Sequence, residues 1–126
     1  MGAATYEKVL SFGIDWPCPE QISYVFTHKK DYAGEGNIRF TDESITSFME
    51  KLRNEAGGNI WIMGGSKLIN QFLTKGLVDE IIIGILPMIL GEGITLFTQQ
   101  DEVKLELIKV SSYEKGMVQV HYNTVG

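Results

Sequence analysis

Cysteine is nearly absent from this chain: Cys18 stands alone, so no internal disulfide framework can form and a reducing compartment fits. It lies between Pro17 and Pro19 and reads as an incidental loop thiol rather than a nucleophile. An excess of positive charge is also absent. Eleven Lys and Arg against 16 Asp and Glu give a net charge of −5, which disfavours a nucleic acid or an anionic membrane as partner. Any anionic ligand would then need a local cationic site. The longest apolar run, from Ile81 to Leu90, is broken by Gly84 and Pro87 and is too short to span a bilayer. Met1 is followed by small and polar residues, not by the basic and apolar regions of a signal peptide, so the expected location is cytoplasmic. No His, Cys and Asp cluster has metal-ligand spacing, and no metal is expected. Repeats and low-complexity tracts are missing as well.

What is present suits one globular domain over residues 1–126, with 44% hydrophobic and 21% charged residues. Thr5 to Leu10 reads as a helix ended by Gly13. Ile22 to Thr27, rich in β-branched and aromatic residues, reads as a strand. After a turn at Gly34 to Asn37, Ile38 to Phe40 is a short extended piece. Thr41 or Asp42 then caps a helix from about Glu43 to Asn54, with acidic residues in its first turn and Lys51 and Arg53 in its last. Ile45, Phe48, Met49 and Leu52 fall at helical spacing and form its core face. A strand over Asn59–Met63, with Trp61 and Met63 as core residues, leads into a helix from Ser66 to Thr74. Val78 to Leu86 reads as a strand buried on both faces, as in the centre of an α/β sheet. Val103 to Ser112 and Met117 to Tyr122 alternate about Glu114-Lys115-Gly116 as a terminal β-hairpin. A phase slip at Leu107-Ile108 points to a bulge. The order of elements argues an α/β fold of three layers, α-β-α, around a mixed sheet.

The most informative stretch is Met63-Gly64-Gly65-Ser66-Lys67, where strand gives way to helix through two glycines. A helix N-terminus presents unpaired N–H groups and a partial positive charge, which suits a phosphate. Two residues without Cβ let the anion approach the main chain. A tight strand-to-helix turn that binds nothing is the competing reading of the same pair. Elsewhere Glu92, between two glycines, reads as a solvated loop carboxylate. Asp79-Glu80 and His121 read as surface groups.

Four segments together resemble the dihydrofolate reductase-like superfamily, above all the reductase domain at the C-terminus of the bacterial riboflavin-biosynthesis protein RibD. They are Met1-Gly2-Ala3-Ala4-Thr5-Tyr6-Glu7, Tyr24-Val25-Phe26-Thr27-His28-Lys29, Met63-Gly64-Gly65-Ser66, and Leu86 to Phe97 with its Pro87, Leu90-Gly91-Glu92-Gly93 and Leu96-Phe97. The resemblance implies a dihydrofolate reductase-like fold and NADPH bound along the C-terminal edges of the strands. It implies that Gly64 and Gly65 admit the pyrophosphate to the backbone of Ser66 and Lys67. Gly2 would offer close backbone approach and Thr5 a hydroxyl. Thr27, with Lys29 or His28, would meet the 2′-phosphate that separates NADPH from NADH.

Two departures stand out. Ala3 occupies the position where many members carry an Arg for the nucleotide phosphates. The resemblance also begins partway into the family pattern, so the chain reads as an N-terminally incomplete domain. The catalytic residues are therefore unknown from the sequence. The leading expectation is an NADPH-dependent reductase, acting as a homodimer on a pterin- or pyrimidine-like small molecule. A nucleotide-binding or interaction domain without turnover is the alternative, and a structural dimer built on the terminal strands is a third.

Overall fold

A computed structural model describes residues 1–29, 34–98 and 101–125. Its elements, in chain order, are α1 (Ala3–Ser11), β1 (Ser23–Phe26), β2 (Ile38–Thr41), α2 (Ile45–Arg53), α3 (Ser66–Thr74), β3 (Glu80–Ile85), β4 (Leu105–Ser112) and β5 (Val118–Thr124). The chain divides into two compact units, Met1–Gln71 and Phe72–Gly126, with α3 starting in the first and ending in the second.

The first unit is layered. β1 and β2 run parallel, with Ser23 opposite Ile38 and Val25 opposite Phe40. Side chains alternate across a strand, so Tyr24 and Phe26 share one face while Val25 and Phe40 share the other. Phe48 of α2 meets the first face, edge-on to Tyr24 at 4.8 Å and to Phe26 at 5.0 Å. Tyr6 of α1 meets the second, with its ring 5.2 Å from Phe40. The expected sandwich of helix, sheet and helix is therefore present within this unit. Its core holds Val25, fully buried, with Ile45, Phe48, Met49 and Leu68. Trp16 adds a ring contact to Tyr6 at 5.6 Å and donates its indole N–H to the hydroxyl of buried Ser23.

The helix face expected at Ile45, Phe48 and Met49 is the buried one, and Leu52 lies half-buried beside it. The cap is different from the expected Thr41 or Asp42. Ser44 is the N-cap, its hydroxyl accepting the N–H of Ser47, while Thr41 ends β2 and its hydroxyl accepts the N–H of Glu43. The acidic residues thus fall before the first turn, and Glu43 pairs with Lys51 at 2.9 Å. A hydroxyl at the last strand residue turns the chain; the next one starts the helix.

A second correction concerns Asn59–Met63, which joins no strand ladder among the described residues. Trp61 is 73% exposed and Ile60 49%, so Trp61 is not the core residue its setting suggested, whereas Met63 is half-buried. A strand reading of an apolar run presupposes neighbours that pair with it, and here none of the described residues do so.

The second unit is an antiparallel sheet in the order β3-β5-β4. The expected hairpin is β4–β5, closed by a 3-10 turn at Glu114–Gly116 in which Lys115 and Gly116 take φ of 67° and 89°. The expected bulge is there: the register shifts between Leu107 and Lys109. β3 departs from expectation. It is an edge strand of this antiparallel sheet, Ile82 is 57% exposed, and only Ile81 and Ile83 are half-buried. Its triple isoleucine reads like a central parallel strand, but among the described residues the pairing is antiparallel and on one side only. Past β3, Met88, Ile89, Leu90 and Ile94 are 66%, 100%, 74% and 93% exposed, and Ile94 to Phe97 forms no strand. Among the described residues, no helix is long and apolar enough to cross a membrane.

Candidate nucleotide site

Three backbone segments of the first unit end side by side. Met1 lies along β1, with its amino group donating to the Tyr24 carbonyl at 2.9 Å and its carbonyl accepting the Phe26 N–H at 2.9 Å. Burial pushes that amino group below its ordinary value of 8.0. Gly2 forms a parallel bridge with Phe26 and donates its N–H to the Gly64 carbonyl at 3.1 Å. Gly2 is also the N-cap residue of α1, and Gly64 lies two residues before α3. Two helices therefore begin next to each other, beside the C-terminal end of β1.

Each start leaves its first-turn N–H groups without helical partners. No side chain caps α1, because its N-cap is glycine. The two partial positive charges converge on the Gly64-Gly65 turn. Gly64 is buried and takes a φ of 119°, a conformation that L side chains rarely adopt. Gly65, joined to it by a cis peptide bond, is exposed. A Cβ added at Gly65 would lie 3.5 Å from Thr5 Oγ1, an ordinary contact, so the Thr5 hydroxyl faces the turn. Gly2, Thr5, Gly64, Gly65 and the start of α3 at Ser66 and Lys67 are thus one cluster.

The β1 exit adjoins that cluster through the Gly2–Phe26 bridge. Thr27 donates its N–H to the Thr41 carbonyl at 2.9 Å, and its hydroxyl accepts the Lys29 N–H at 3.1 Å. Lys29 Nζ lies 3.6 Å from Glu7 Oε1 of α1, both side chains being more or less half-exposed. Glu7 closes the first of the four resemblance segments, but its pairing with Lys29 has no signal in the sequence; α1 carries it toward the strand exit. His28 and Lys67 are exposed, and no hydrogen bond or ion pair ties their side chains to the cluster. Lys30 lies outside the described residues.

The remaining polar candidates sit apart in sequence. Among the described residues no group of His, Cys, Asp and Glu has the geometry to hold a metal ion. Cys18 is free and half-buried. His121, expected on the surface, is part-buried on β5; its Nε2 lies 3.3 Å from Glu80 Oε2 of β3 without the alignment of a hydrogen bond.

The cluster thus brings together two helix starts, a glycine without Cβ facing a hydroxyl, and, beside it, a lysine at the strand exit. Comparison with known proteins agrees with the four-segment resemblance. Residues 20–119 match the family model of the RibD C-terminal domain. The chain is 37% identical over 123 residues to YwjB of Bacillus subtilis, described only as uncharacterized, covering 97% of the chain and 70% of YwjB. It is 34% identical over 104 residues to YyaP of the same organism, also described as uncharacterized, covering 82% of the chain but only 55% of YyaP. The crystal structure of a putative riboflavin biosynthesis protein from Shewanella sp. PV-4 superposes with a TM-score of 0.87 at 25% identity, over 100% of this chain and 72% of that one. A pyrimidine reductase-like protein from Corynebacterium diphtheriae gives 0.61 at 20% identity, over 82% of this chain and 50% of that one, which speaks to fold alone. The fold is α/β of the dihydrofolate reductase-like kind. By family match and by fold, the chain belongs to the RibD C-terminal domain family.

Proposed function

We propose that this chain binds NADPH at the cluster formed by Gly2, Thr5, Gly64, Gly65 and the start of α3, as the cofactor half of a reductase. The observation that carries this reading is the Gly2 N–H to Gly64 carbonyl bond, which sets two helix N-termini against one glycine turn. In this reading the pyrophosphate takes the backbone N–H groups of Ser66 and Lys67, and the Thr5 hydroxyl donates from the facing helix. Thr27 and Lys29 serve the 2′-phosphate, with His28 as a further donor. When bound, the nicotinamide supplies hydride to a pterin- or pyrimidine-like acceptor; the chain's own residues bind and orient the cofactor. No group of this chain is assigned as proton donor. The reading includes a homodimer, which the exposed apolar side chains of the second unit support, and sedimentation across a concentration series tests it.

Thermal protection by nucleotide tests the site. At about a hundred times its Kd, NADPH should add about 2.7 kcal/mol to stability, and NADH less at equal concentration. Gly65→Val should keep the fold, because an added Cβ meets only an ordinary contact, yet lose the protection as the side chain fills the anion's approach. Full protection of that variant overturns the pyrophosphate assignment. Protection without NADPH oxidation, over a panel of pterins and pyrimidines, selects the alternative of a nucleotide-binding domain without turnover.

A further inference from the structure

Glu7 and Lys29 make an ion pair whose place at the strand exit is not explained by stability. At 3.6 Å, with side chains 50% and 65% exposed, such a pair contributes little to holding a fold. Its position matters more than its strength. Thr27 turns the chain back by accepting the Lys29 N–H, and this carries the Lys29 ammonium over α1 to Glu7. Among the described lysine and histidine side chains at the strand exit and the start of α3, this ammonium is the one with an ion pair to α1, since His28 and Lys67 make no such contact.

We infer that Glu7 tempers the preference for NADPH over NADH, by acting as the resident counter-ion of Lys29. This rests on the nucleotide reading proposed above. A 2′-phosphate carries close to two negative charges and reaches Lys29 only by sharing it with, or displacing, the Glu7 carboxylate. The nearby carboxylate repels the phosphate while it neutralises the lysine, and both effects are strongest for the 2′-phosphate, the group that reaches Lys29. NADH has an uncharged hydroxyl there, and its pyrophosphate, which both nucleotides share, feels the pair equally in the two and so leaves their ratio unchanged. The result is a site that binds the phosphorylated cofactor less selectively than its lysine by itself would allow.

The measurement is the affinity of NADPH and of NADH for the wild-type chain, Glu7→Gln, Lys29→Ala and the double variant, at low and high salt. Glu7→Gln should tighten NADPH by about two- to fivefold, the range of an exposed charge pair, and leave NADH unchanged. Lys29→Ala should weaken NADPH more than NADH, and in its background Glu7→Gln should give a smaller gain. The gain should also shrink at 1 M salt, where screening shortens the reach of exposed charges to about 3 Å. An NADPH to NADH ratio that Glu7→Gln leaves unchanged overturns the inference while nucleotide binding stands. An equal change for both nucleotides does the same, because it reports an effect that is not specific to the 2′-phosphate. If neither nucleotide binds the wild-type chain, the proposed function falls and the inference falls with it.

Discussion

The sheets of the two units treat their apolar residues in opposite ways. In the first, β1 and β2 have a helix on each face, and Val25, Ile45, Phe48 and Met49 are buried. In the second, the antiparallel sheet leaves Ile82, Leu107 and Val110 more than half exposed, and Ile89, past β3, is fully exposed. Both stretches are comparably rich in branched and aromatic residues. Apolar content alone therefore does not decide burial; a strand is buried when other elements cover both of its faces. The candidate site lies in the covered unit, which is where fixed backbone ends can be held in register.

That contrast can be broken by substitution. Phe48→Ala removes the ring that meets both Tyr24 and Phe26 and should cost about 3–5 kcal/mol in denaturant unfolding. A loss under 1 kcal/mol would mean that the first unit is not the tightly packed one. Gly64→Ala should cost at least about 1 kcal/mol, since its φ of 119° disfavours any side chain, although a Cβ there has only Thr5 Oγ1 at 4.0 Å. Equal stability would show that the turn relaxes without penalty. Ser44→Ala should lower stability by about 1 kcal/mol through loss of the cap on α2. Thr41→Val, which leaves that cap in place, is the control. Ile89→Ser, at a fully exposed position, should change stability by less than about 0.5 kcal/mol. A large loss there would show that the second unit's apolar surface is covered in solution, and a concentration-dependent melting point would identify a second copy as the cover.

Local patterns were legible where a local rule operates. The α2 core face follows from spacing, and the bulge at Leu107–Lys109 follows from a break in alternation. The hairpin turn follows from Lys115-Gly116, where positive φ is needed. Misreadings came where partners decide. Asn59–Met63 has the composition of a strand, but a strand exists only against a neighbour. β3 has the composition of a central strand but sits at an edge. The α2 cap was misplaced because Thr41, Asp42 and Ser44 are all competent, and only the end of β2 selects among them.

The candidate site divides in the same way. Gly64 and Gly65 were legible as the turn that opens α3, because glycine before a helix has a local meaning. Thr5, Gly2 and Thr27 came from resemblance; the geometry brings Gly2 and Thr5 into one cluster with the glycine turn, and sets Thr27 at the adjoining strand exit. The pairing of Glu7 with Lys29 was legible only in space, since the two lie 22 positions apart in the chain.

By itself, the sequence determined the glycine turn, the helix periodicity, the hairpin and the family pattern, since each depends on residues within a few positions of one another. Only the tertiary structure decided that two helices start at the same point, that Lys29 answers to Glu7, and which apolar residues are buried. Those depend on contacts between distant segments, where backbone hydrogen bonds and face-to-face packing choose among partners the sequence leaves equivalent.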